Sequence, residues 1–163
     1  MMRFLKWFFL TLKEWFLKPD THPGTIIGAN ENLSRFIFST RYFSRQALRV
    51  KAEAYMPKEG EVSVFRVDRL TAVQIWKIGD EIADERNRTL YARGDIQARE
   101  VTGNGLDIVS AEPPPRHANI VGWPANDKPR QKLIALQIAA LATLVLKEQV
   151  TRVLITSGER QMG

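Results

Sequence analysis

The spacing of hydrophobic positions changes several times along this chain, and each change predicts an element. Over residues 47–55, Leu48, Val50, Ala52 and Ala54 alternate with Arg49, Lys51, Glu53 and Tyr55, the two-residue repeat of a strand with one dry and one wet face. Pro57-Lys58-Glu59-Gly60 then turns the chain, and EVSVFRV at residues 61–67 resumes the alternation as the expected hairpin partner. A shorter strand is predicted over residues 35–38. From Thr71 the period lengthens to that of a helix: Ile75, Ile78 and Ile82 recur at helical spacing. Thr71 and Gln74 complete a capping box, and Leu70 and Ile75 are spaced as a hydrophobic staple. Asp80, Glu81, Asp84 and Glu85 are read as the solvated side of that helix.

Two more strands are predicted at residues 89–96 and 106–110, with a helical turn over 97–102 between them. Asp127 can cap a last long helix with Pro129 in its first turn. Residues 133–146 are apolar except for Gln137 and Thr143, a run too short for the ~20 residues of a bilayer span, so a buried central helix is expected. TRVLIT at residues 151–156 reads as a closing strand, and 158–163 as a frayed tail. Strands and helices do not alternate regularly. The expected class is α+β, a small mixed or antiparallel sheet packed on two main helices, with one domain over 25–157.

Residues 1–24 stand apart. MMRFLKWFFLTLKEWFLK is the most apolar stretch, yet Lys6, Lys13 and Glu14 interrupt it, and neither a cleaved leader nor a membrane span is expected. On a helix Phe4, Leu5, Phe8, Phe9, Leu12, Trp15 and Phe16 share one broad face. Such an amphipathic helix needs cover, from a protein partner or from a membrane surface. Lys18-Pro19 ends it and a linker follows.

Composition narrows the function classes. Hydrophobic residues make up 44% and charged residues 26%, which suits a packed core and not disorder. Absence of cysteine removes disulfides and thiolate metal sites and suits a reducing, cytoplasmic setting, with membrane-peripheral attachment as the variant. Net charge is +6, and from Arg35 to Lys51 five cations stand without an acid. Segregation of that kind favours a polyanionic partner.

Candidate chemistry follows from these patterns. Arg35, Arg41, Tyr42, Arg45, Arg49 and Lys51, interleaved with aromatic residues, match the recipe for nucleic-acid binding: cations for phosphates, rings for bases. A basic interaction module, a small subunit of a larger assembly, is therefore the leading functional expectation. The alternative is a small transferase or hydrolase acting on a nucleotide or phosphorylated ligand. Its catalytic set would be Arg66, which shares an inward face with Val62 and Val64, together with Arg116, His117 and Asn119 in a proline-stiffened loop over 112–124. A buried Arg66 requires either a carboxylate of its own domain or a ligand anion. The third reading is a peripheral membrane protein held by residues 1–18. Phosphate-binding loops, nucleophile elbows and dinucleotide fingerprints are missing from the sequence, and no cofactor or metal is expected.

Overall fold

The computed structural model describes residues 24–148. The helix expected over 1–18, its linker, the strand expected over 151–156 and the tail lie outside the described residues. Within them the fold is α+β: an antiparallel six-stranded sheet, a two-stranded ribbon and three helices. In chain order the elements are β1 (Asn32–Ile37), β2 (Phe43–Ser44), β3 (Arg49–Val50), β4 (Val62–Arg66), α1 (Ala72–Glu85), β5 (Ala92–Gln97), α2 (Ala98–Thr102), β6 (Asp107–Ser110), β7 (His117–Val121), α3 (Lys128–Leu141) and β8 (Thr143–Leu146). The sheet order is β6-β7-β4-β1-β5-β8, and β2 and β3 form the ribbon. No described helix is long and apolar enough to cross a membrane.

Alternation along the strands gives the sheet two different faces. Leu33, Ile37, Val62, Val64, Ala92, Ile96, Ile108, Ala118, Ile120 and Leu146 point to one face, where α2, α3 and the 3-10 turn Ala52–Tyr55 cover them. Tyr55 is fully buried there, and its hydroxyl approaches the site of Gly94, where an added Cβ would sit 2.8 Å from it. Phe36, Phe65 and Val67 point to the other face, under Ile75, Trp76, Ile82 and Ala83 of α1. Gly79 lets that helix approach closely: a Cβ there would meet Leu90 and Phe36 at 2.7–2.8 Å. The capping box of α1 forms as predicted, Thr71 Oγ1 accepting from the Gln74 backbone and Gln74 Oε1 from the Thr71 backbone.

Several expectations need correction. Residues 47–55 are not one strand: only Arg49–Val50 is extended, Leu48 has φ 47° and Ala52–Tyr55 coil into the 3-10 turn. Small Ala52 and Ala54 are buried against α3, which needs close approach more than it needs a ladder. The partners of β4 are β1 and β7, and β3 pairs with β2. The proline-rich approach ends in β7, so His117 and Asn119 stand on a strand and not in a loop. The last helix stops at Leu141, and Thr143–Leu146 pair with β5 as an edge strand. Nor is α3 buried all round. Gln131, Ile134, Ala135, Ile138 and Ala139 face the core, whereas Leu133, Leu136 and Leu141 are 55%, 55% and 53% exposed.

Candidate functional site

Two regions hold the candidate residues. The first is the surface formed by the β2–β3 ribbon and the outer side of α3. β3 lies against α3. Arg41, Arg45, Arg49 and Lys51 are exposed on the ribbon and its flanks, and Lys128, Arg130 and Lys132 are exposed over the first turns of α3. Arg45 lies near the Phe43 ring, 5.7 Å from its centroid, and makes a two-pronged 2.9 Å contact with Glu148. Its charge is stabilised by that hydrogen-bonded carboxylate, which raises its pKa. Among the described residues the guanidinium and ammonium groups of Arg41, Arg49, Lys51, Lys128, Arg130 and Lys132 take no partner, so their charge faces solvent.

Apolar groups share this surface. Leu133 and Leu136 are one helical turn apart, and Leu48 on the ribbon is 61% exposed; Leu141, at the end of the helix, instead lines the cleft described below. The face of α3 at i and i+3 is therefore leucine where a surface helix usually carries polar groups. The aromatic members of the basic segment behave differently. Phe36 and Phe43 are buried in the core, and Tyr42 and Phe38 pack against it half-buried. Arg35 is not a surface cation. Its Nε donates to Ala54 O and its Nη1 to Ser63 O, both at 2.9 Å, bridging the gap where β4 diverges from β1, and burial lowers its pKa.

The second region lies at the junction of β4 and β7. Arg66 is buried and grips Glu31 with two hydrogen bonds of 2.6 Å, so the inward cation has a carboxylate of its own domain. Arg116, at φ 68°, is also buried, and its Nη1 donates to the carbonyls of Arg66 and Asp68. His117 projects from the opposite face of the sheet to Arg66, because Phe65 and not Arg66 is its cross-strand partner. Arg66, Arg116 and His117 therefore do not converge on one ligand. Around His117 the sheet brings other groups together. Ser63 Oγ lies 2.8 Å from His117 Nε2, Ala111 O lies 2.9 Å from Nδ1, and Asn119 Nδ2 donates to Glu61 Oε2 at 2.7 Å. Burial lowers the His117 pKa from its ordinary 6.5, and nearby Arg86 adds to the shift.

A cleft of about 470 Å³ opens between the start of α1 and the ends of β1 and β5, lined by Asn32, Leu70, Asp95, Gln97 and Glu100. Its acids are engaged: Asp95 by Ser34 and Arg93, and Glu100 by the Gln97 backbone. Among the described residues no group of three His, Asp or Glu is placed to hold a metal ion. Sequence reasoning missed Ser63, Glu61 and Arg86, and it missed the exposure of the α3 leucines. Ser63 was legible only as a register, opposite Asn119, and no local motif marks Ser63, Glu61 or Arg86. Comparison of the chain with protein-family models, with curated proteins and with solved structures finds no match.

Proposed function

We propose that this protein is a basic interaction module that docks on an anionic lipid surface through the β2–β3 ribbon and the outer side of α3. The observation that carries the reading is the pair Leu133 and Leu136 on the outer side of α3, each more than half exposed, beside a field of exposed cations. Exposed apolar patches rimmed by polar groups mark interaction sites. Burying leucine side chains in the acyl boundary is worth roughly 25 cal/mol per Å², and each Lys or Arg near an anionic leaflet adds about 1 kcal/mol. A nucleic acid would satisfy only the charge. Its phosphates offer nothing to leucine, and the aromatic rings that would stack on bases are core or half-core residues. The aromatic, lysine-bearing sequence of residues 1–18 has the composition of an interfacial segment, which fits the same partner.

The test is co-sedimentation of the full chain with phosphatidylcholine vesicles, with and without phosphatidylserine, against the double variant Leu133→Ser, Leu136→Ser. Binding that requires the anionic lipid, weakens with salt and is lost in the double variant supports the reading. Full retention by the double variant, with binding lost only on deleting residues 1–18, moves the function to that segment. If oligonucleotides bind tightly while vesicles do not, the partner is nucleic acid and the lipid reading falls.

A further inference from the structure

We propose that Ser63 is a nucleophile activated by His117, forming an acyl-transfer site for a small carboxylic ester on the part of the sheet that α1 leaves bare. This site is separate from the cationic surface and does not depend on it. The β4–β7 register sets the geometry: Ser63 stands directly opposite Asn119, and His117 stands opposite Phe65, one pair along on the same face. All three polar side chains are half-buried, packed enough to be held and open enough to be reached. Phe65 supports the imidazole, with ring centroids 5.2 Å apart.

Hydrogen bonding fixes the tautomer. Ala111 O can only accept, so Nδ1 carries the proton and donates to it. Nε2 is then left with its lone pair facing Ser63 Oγ at 2.8 Å, and the hydroxyl donates. Nucleophile, base and an acceptor that orients the base are the three parts an activated serine needs. Burial lowers the His117 pKa, so the ring is neutral and able to take a proton at neutral pH. Asn119 uses one amide hydrogen on Glu61 and has a second for a developing oxyanion. Arg86, at the exposed end of α1, adds positive charge close enough to act on His117.

In the reaction Ser63 Oγ bonds to the ester carbonyl carbon while its proton passes to His117 Nε2. The carbonyl oxygen takes the negative charge, facing the second Asn119 amide hydrogen. The carbon–oxygen bond to the alcohol breaks, and the departing alkoxide takes the proton from Nε2. Water then attacks acyl-Ser63 with His117 again as base, releasing the carboxylic acid and restoring the serine.

A fluorophosphonate probe tests this on the full chain, since it bonds to an activated serine with loss of fluoride. Peptide mass spectrometry should place one label on Ser63, none should form on Ser63→Ala, and p-nitrophenyl acetate hydrolysis should be lost with it. His117→Gln should slow labelling at least ~100-fold, the lower range for a lost general base. Labelling of the unaltered chain should rise with pH through the His117 titration and then level, a readout that survives if His117→Gln fails to fold. No label on the unaltered chain, or equal labelling of Ser63→Ala, overturns the proposal and leaves Ser63 and His117 as a structural pair.

Discussion

The ribbon–α3 surface and the β4–β7 junction both carry arginines, and they use them in opposite ways. At the junction Arg66 is locked to Glu31, Arg116 is buried against the carbonyls of Arg66 and Asp68, and Arg35 ties β1 to Ala54 and Ser63. On the ribbon and α3, Arg41, Arg49, Lys51, Lys128, Arg130 and Lys132 point to solvent. A buried guanidinium must satisfy its hydrogen-bonding groups inside the fold, and the carbonyls and carboxylate around it then depend on it. An exposed one makes little difference to folding and remains open to a partner. Substitutions at the junction should therefore read out as stability, and substitutions on the surface as binding.

The largest expected effect is at the junction. Arg66→Ala removes the cation from a pair with a mostly buried Glu31 and should cost about 3 kcal/mol, the lower part of the range for breaking a buried pair. Urea unfolding measures it, and vesicle binding per folded molecule should not change. Loss of less than 1 kcal/mol would mean that the Arg66–Glu31 pair does not hold the junction together. Next comes the double serine variant of Leu133 and Leu136. At about 1 kcal/mol per half-exposed leucine it should lose about 2 kcal/mol of membrane affinity, on the order of 30-fold, with little change in the melting temperature. If melting falls steeply instead, the leucines are core and the surface has been misread.

Arg49→Gln with Lys51→Gln should weaken vesicle binding by about 2 kcal/mol at low ionic strength and by much less at high salt. The smallest effect is on pH. Because the folded His117 pKa lies below its ordinary 6.5, the unfolded chain takes up a proton first as pH falls. The stabilisation due to a neutral His117 is full above about pH 6.5 and is lost as pH drops toward the lower folded value. His117→Gln should flatten that part of the stability–pH curve, and an unchanged slope would mean that the ring titrates freely.

The contrast between the two regions was partly legible in the sequence. α1 was written in Thr71, Gln74 and the isoleucine spacing, because a capping box is a local device. Arg66 was legible as a buried cation in need of an anion because alternation put it beside Val62 and Val64, although whether a ligand or a domain carboxylate would meet it, and that Glu31 does, could not be read. The strand expected over 47–55 failed because alternating Leu, Val and Ala also fits a 3-10 turn that needs small residues under α3. The helix expected to run through residue 146 failed because Leu144, Val145 and Leu146 are equally suited to an open sheet edge, and β5 had one to offer. The same all-round apolarity hid which side of α3 would be bare. The Ser63–His117 pair depends on a register between strands separated by more than fifty residues in sequence, and no local pattern could announce it.

Docking through α3 can be read directly from a label on its outer side. The chain contains no cysteine, so a single Leu136→Cys variant can carry an environment-sensitive nitrobenzoxadiazole label on the outer side of α3. Val73→Cys, 62% exposed on α1 across the sheet, is the matched control. With phosphatidylserine-containing vesicles the label at 136 should brighten and shift to shorter wavelength, while the label at 73 stays as in water. A label at 136 that remains in an aqueous environment while the protein co-sediments, or an equal response at 73, would contradict docking through α3.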